Sequence, residues 1–183
     1  MKILFVIDKI ELKYFEFNNL VTNFWIIKEF LDRGNEVFIT TIPNLSLKAD
    51  RAFTKCYETF CDKGNIFYKD VKIEREIDDF ELVMFRPDPP VDIDYINATY
   101  IFDFVKKPRV INSPSSIRDF NEKLHSVYFK ELMSENIVTA SLKEIEDFLA
   151  INKQIVLKPL NRCFGSGVMF LYDGDPNTRT IIN

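Results

Sequence analysis

The chain has 183 residues, 46% of them hydrophobic and 28% charged, with a formal net charge of −4. That length provides one domain and part of a second and buries roughly 70% of the surface exposed on unfolding, which argues for a packed core and against disorder. No basic excess is present to serve a general nucleic-acid surface or an anionic membrane, and 18 phenylalanines, Phe15, Phe17, Phe24 and Phe30 among them, read as core volume.

After Lys2, Ile3-Leu4-Phe5-Val6-Ile7 is a continuous apolar run of strand length, which predicts a central strand ending at Asp8. It is too short for the core of a signal peptide or for a membrane span. Leu20, Phe24, Ile27 and Leu31 recur at helical spacing across residues 19–31, and Gly34 is a natural stop. Residues 36–40 read as the next strand, completing the strand, helix, strand unit of a right-handed crossover in an open α/β sheet. Residues 43–79 are mixed in polarity, with turn residues Lys63-Gly64-Asn65 and short strands expected around 45–47 and 66–71.

Residues 81–85 return to an apolar strand, and residues 92–106 carry Ile93, Ile96, Tyr100, Ile101 and Phe104 in a helical pattern. A short strand over 109–111 ends at Asn112. Two helix starts follow: Ser113 as N-cap with Pro114 at the first helical position, and Ser141 with Glu144 as a capping box ahead of Ile145, Phe148 and Leu149. A strand over 154–157, a loop containing Gly165-Ser166-Gly167, a strand over 168–171 and a turn at Asp173-Gly174-Asp175-Pro176 complete the order, without repeats or low-complexity segments. Strand, glycine loop, strand predicts a hairpin-like flap.

The G-x-x-x-x-G-K-[ST] and G-x-G-x-x-G fingerprints are absent. Lys123 stands near a capped helix, and Lys158 ends an apolar strand, read as buried, just before the glycine loop. A flap can lay backbone N–H groups over a polyphosphate while two ammonium groups neutralise its charge, which is the logic of an ATP-grasp site; otherwise both lysines are solvated surface groups. Arg86, before Pro87, reads by itself as a strand-end residue in a proline-rich turn. Asp8 either faces a ligand, where ligands collect in open α/β sheets, or terminates its strand. His125, the one histidine, reads as a packing or surface residue. Three cysteines, Cys56, Cys61 and Cys163, make an odd number without zinc-knuckle spacing, which points to the reducing cytoplasm.

Val83-Met84-Phe85-Arg86-Pro87-Asp88-Pro89-Pro90-Val91-Asp92, Ala98-Thr99-Tyr100-Ile101, Asn112-Ser113-Pro114, Arg118, Asn121-Glu122-Lys123-Leu124 and Leu157-Lys158-Pro159-Leu160 closely resemble, in order and spacing, the prokaryotic type of glutathione synthetase. The likeness is most specific from Leu82 to Val168. The first eighty residues agree mainly in the opening strand that ends in Asp8. The resemblance implies an α/β fold: an open, mainly parallel, Rossmann-like sheet preceding the ATP-grasp part (substrate domain, residues 1–120), followed by an incomplete ATP-grasp lobe (residues 121–183). It implies joining of γ-glutamylcysteine to glycine with ATP and Mg2+ through an acyl phosphate. Lys123 and Lys158 then correspond to ATP-phosphate lysines, Gly165 and Gly167 to the phosphate flap, and Arg86, with Asp8, to the substrate side.

Arg162 and Phe164 stand where the family carries glycines in the flap, so a β-carbon occupies positions that favour positive φ or close backbone approach. By the resemblance, the magnesium ligands, the adenine hinge and much of the glycine site are expected beyond Asn183. No metal ligand is expected within the chain, and the 183-residue polypeptide by itself is not expected to make glutathione. Two readings follow: part of a ligase completed by a C-terminal half, or a non-catalytic chain that binds γ-glutamylcysteine or a partner. The resemblance also offers a homo-oligomer or a complementary C-terminal half as partner, and the charge balance argues against nucleic acid and membrane.

Overall fold

The computed structural model describes residues 1–9 and 21–182, in two units, Met1–Asp119 and Phe120–Asn183. Leu20, Phe15 and Phe17, assigned above to a helix and to the core, lie outside the described residues.

In the first unit the expected central strand is β1 (Lys2–Ile7), parallel on one side to β2 (Glu36–Thr41) and on the other to β7 (Leu82–Phe85), which in turn runs parallel to β8 (Arg109–Ile111). Ile3 through Ile7 are all 0% exposed. An unbroken apolar run is needed here because both faces of β1 are covered. Leu4 and Val6 join a cluster with Phe38, Val83, Phe85 and the side chains Tyr95, Ala98 and Phe102, whereas Ile3, Phe5 and Ile7 pack with Phe24, Ile27, Val37 and Ile39. Each fully buried side chain of this kind contributes about 1.5–3 kcal/mol. Phe24 and Ile27 come from α1 (Thr22–Asp32), so the expected helical stripe is the buried face; Gly34 follows at φ +75°.

The region that resisted sequence reading supplies an antiparallel flank. β4 (Arg51–Asp62) pairs with β2 and with β3 (Leu45–Lys48), while β5 (Asn65–Tyr68) and β6 (Ile73–Glu76) pair with its two halves. β4 had no counterpart in the sequence reading, because threonines interrupt its inward row. Thr54 Oγ1 donates to Thr40 Oγ1 at 2.9 Å and Thr59 Oγ1 to the Val37 carbonyl at 2.7 Å, so these buried hydroxyls are satisfied within the sheet. The strand expected over 66–71 ends at Tyr68.

The helix expected over 92–106 is α2 (Ile93–Ile101) plus a 3-10 turn, Phe102–Phe104. Asp92 caps it, accepting from the Tyr95 N–H at 2.9 Å. Its buried face is Tyr95, Ala98, Thr99 and Phe102 rather than the expected stripe: Ile93 is 71% and Tyr100 51% exposed. Tyr100 instead lies under the Arg118 guanidinium at 4.6 Å, whose Nη1 donates to Thr99 Oγ1 at 3.1 Å and Nη2 to Asp103 Oδ1 at 3.0 Å. Arg118 sits on α3 (Pro114–Asp119), and the Ser113 carbonyl accepts from the Ile117 N–H at 3.0 Å.

The second unit holds a 3-10 segment, His125–Leu132, interrupted at Phe129, then α4 (Leu142–Asn152), β9 (Gln154–Leu157), β10 (Met169–Tyr172) and α5 (Thr178–Ile182). β9 and β10 form the expected antiparallel hairpin, with Leu157 opposite Met169 and Gln154 opposite Tyr172. The capping box is half made. Ser141 Oγ accepts from the Glu144 N–H at 3.4 Å, whereas the Ser141 N–H goes to Thr139 Oγ1 at 2.9 Å. Among the described residues no helix is long and apolar enough to cross a membrane.

Candidate functional site

From β1 the chain crosses through α1 to β2, yet it later returns to β7 on the opposite side of β1. Ligands bind outside the carboxyl ends of strands where the order reverses in this way, and here those ends are Ile7 and Phe85. The residues that follow are Asp8 and Arg86.

Contacts from four neighbouring stretches hold the end of β7 and the segment after it. The Arg86 N–H donates to the Val6 carbonyl at 2.9 Å, carrying the strand pairing one residue further. Asp8 Oδ2 accepts from the Asp88 N–H at 2.6 Å. The Tyr95 hydroxyl donates to the Pro87 carbonyl at 3.2 Å, and Asn112 Nδ2, beyond β8, donates to the Phe85 carbonyl at 3.1 Å. In the first turn of α1, Asn23 is 3% exposed; its Oδ1 accepts from Arg86 Nε at 2.5 Å and its Nδ2 donates to the Arg86 carbonyl at 3.4 Å. Asp8 and Arg86 are therefore brought together around one backbone segment.

Burial raises the Asp8 carboxyl above the ordinary carboxylate range; the Asp88 charge adds to the rise, and the Asp88 N–H bond opposes it. The Tyr95 phenol is pushed up to about 12, first by burial and then by the charges of Asp8 and Asp88. The carboxyl ends of β1 and β7 thus carry one guanidinium, Arg86, and two carboxylates, Asp8 and Asp88. Such a set suits a ligand bearing both a carboxylate and an ammonium group.

In the second unit Lys123 and the glycine loop are tied together. The Lys123 ammonium donates to the Arg162 carbonyl and to Glu122 Oε1, the latter at 3.1 Å. Asn121 organises this contact: its Oδ1 accepts from the Lys123 N–H at 2.9 Å, its Nδ2 donates to the Leu160 carbonyl at 3.2 Å, and its carbonyl lies 3.0 Å from His125 Nδ1. His125 packs on Phe120 with ring centroids 4.1 Å apart, in keeping with a packing role.

Phe164, Gly165 and Gly167 all have positive φ, +53°, +73° and +73°. They close two successive turns, in which the Ser166 N–H donates to the Cys163 carbonyl at 2.9 Å and the Val168 N–H to the Gly165 carbonyl at 3.1 Å. At Gly167 a β-carbon would meet Pro159 Cγ at 2.9 Å, so the close approach requires glycine. Phe164 occupies a left-handed position with its ring 81% exposed, which is where the sequence placed the departure; Arg162 is not at positive φ. One expectation is corrected. β9 is not a buried strand, since Gln154 and Val156 are exposed, and Lys158 is itself exposed beyond its end.

Asn23 and Tyr95 were not singled out from the sequence, and Asn121 was noted only as part of a motif. Nothing in local spacing marks a buried asparagine as the holder of an arginine distant in sequence. The described residues contain no group of three or more His, Cys, Asp or Glu placed to hold a metal ion. All three cysteines are free; Cys56 is buried, which pushes its thiol up to about 11, whereas Cys61 is exposed and Cys163 half-buried.

Residues 1–118 match the family model for the prokaryotic glutathione synthetase N-terminal domain, and residues 122–183 match that for the prokaryotic glutathione synthetase ATP-grasp domain. The chain is similar to the glutathione synthetase of Buchnera aphidicola subsp. Schizaphis graminum, 30% identical over 165 residues that cover 88% of this chain and 52% of that protein. It is 33% identical over 165 residues to that of Yersinia pestis, with the same coverage of each. With that of Synechococcus elongatus it shares 40% identity over 110 residues, 59% of this chain and 34% of the relative. The chain thus spans about half the length of the curated relatives it matches. With an α/β sheet unit followed by the opening part of an ATP-grasp fold, the chain belongs to the prokaryotic glutathione synthetase family.

Proposed function

We propose that this chain supplies the dipeptide-binding domain and part of the nucleotide-binding lobe for ATP-dependent ligation of γ-glutamylcysteine to glycine in a reducing cytoplasm. The observation that carries this reading is Arg86, held at the switch point of the sheet beside Asp8. The guanidinium receives a carboxylate of γ-glutamylcysteine, and Asp8 faces its ammonium group. Lys123 and Lys158 neutralise ATP phosphate charge, and the loop at Gly165 and Gly167 forms the flap over it.

The donor set of Lys123 and the glycine loop suits a polyphosphate. We assign the Mg2+ ligands to the remaining length found in the relatives. Completion of the site by a complementary C-terminal half, or by a homo-oligomer, belongs to the same proposal.

A second reading, recognition of γ-glutamylcysteine without ATP chemistry, is favoured by Phe164, which puts a side chain on a left-handed position of the flap. Calorimetry and thermal melting of the 183-residue chain with γ-glutamylcysteine and, separately, MgATP distinguish the two. A ligand at one hundred times its Kd stabilises by about 2.7 kcal/mol. Stabilisation by both supports the first reading, by the dipeptide alone the second, and by neither overturns both.

A further inference from the structure

The Asn23 side chain is almost wholly buried, lies sixty-three residues from Arg86 in sequence, and grips that arginine twice: Oδ1 accepts from Nε at 2.5 Å, and Nδ2 donates to its carbonyl at 3.4 Å. A guanidinium can meet a carboxylate side-on, through Nε and one terminal nitrogen, or end-on, through both terminal nitrogens. With Nε engaged by Asn23, the side-on edge is taken. The end-on edge remains, and among the described residues no hydrogen bond is donated from the two terminal nitrogens.

We propose that Asn23 is a positioning residue that fixes Arg86 so that its terminal nitrogens meet a ligand carboxylate end-on. The proposal rests on the reading that Arg86 receives a carboxylate of γ-glutamylcysteine. It adds the device that makes this arginine a selective fork rather than a loose positive charge. The Arg86 backbone is anchored by the Val6 carbonyl and the neighbouring Asp88 N–H by Asp8, so the side-chain torsions are the freedom that Asn23 removes. Less ordering then has to occur when the ligand binds. Asn23 touches no reacting atom in this account; it acts through Arg86.

The test uses the 183-residue chain and its variants Asn23→Leu, which keeps the buried volume while deleting both bonds, and Arg86→Lys, which keeps the charge and removes the fork. Two readouts are taken. Exchange of the Arg86 Nε–H with water is followed by NMR, and affinities are measured for γ-glutamylcysteine and its two mono-amides. Wild-type protein is expected to protect the Nε–H and to prefer the acid over one mono-amide by about tenfold or more. Asn23→Leu is expected to speed the exchange roughly tenfold and to abolish that preference, where a general loosening of the fold would weaken acid and amide alike.

Retention of the acid preference in Asn23→Leu overturns the proposal. If that variant fails to fold, Arg86→Lys decides: loss of the preference with the charge retained supports a held fork, and its survival overturns one. Wild-type protein that binds neither acid nor amide overturns the underlying reading of Arg86 and this inference with it. Binding that is lost in Arg86→Lys but unchanged in Asn23→Leu overturns this inference alone.

Discussion

Asp8 is held in the folded chain at a cost. Burial raises its affinity for a proton above that of an exposed carboxyl, so the native state binds more protons than the unfolded chain from the ordinary carboxylate range up to the raised value. Stability attributable to this group therefore falls as pH rises through that window and stays reduced above it. Asp8→Asn retains an oxygen to accept the Asp88 N–H while removing the charge. It is expected to raise the melting temperature at pH 7 by about 1–3 °C, with the difference from wild type closing as pH is lowered into the carboxylate range. Equal melting of the two proteins at pH 7 would show that the charge is not strained. A half-buried charge retained against stability is common where a ligand is met, and the same substitution is expected to weaken binding of γ-glutamylcysteine. Asp8 was legible as a candidate because it directly follows an apolar run, and Arg86 because it stands in a motif of the family. Their shared backbone segment was not, because nothing near either residue encodes the bond between Asp8 and Asp88.

Helix starts are the elements most completely written in local sequence, and their energies should rank by cap geometry. Asp92 accepts from the Tyr95 N–H at 2.9 Å with a charged oxygen, whereas Ser141 reaches the Glu144 N–H at 3.4 Å with a neutral one. Urea unfolding is expected to give a loss of about 1–2 kcal/mol for Asp92→Ala and about 0.5 kcal/mol for Ser141→Ala. An equal or reversed order would show that packing around the caps outweighs the hydrogen bonds. Spacing also located α1, α4 and the β9–β10 hairpin. It misjudged the inward face of α2, because Tyr100 finds a cation in Arg118 and Tyr95 goes inward with its hydroxyl paired to a carbonyl. β4 went unread because buried threonines, satisfied by neighbouring strands, look polar when those strands are unknown.

Over the whole molecule, burial is unevenly divided. Among the described residues, the fully buried apolar side chains of the second unit are Leu149 and Leu171, and all the others lie between Ile3 and Phe102. The first unit carries both packed clusters. Residues 1–119 expressed alone are therefore expected to unfold cooperatively, within about 5 °C of the 183-residue chain's main transition. Residues 120–183 alone are expected to show no cooperative melt, since so small a core cannot offset chain entropy. A fragment 1–119 without a cooperative transition would overturn this division. The sequence by itself determined the strand and helix order around β1, the flap with its misplaced Phe164, and the family, because periodicity, caps and motif spacing are local and survive without knowledge of partners. Only the tertiary structure decided which carbonyls and side chains hold Arg86 and Lys123, and that β4 organises four neighbouring strands. Those contacts join residues far apart in the chain, and hydrogen bonding has no sequence period by which such pairs could be found.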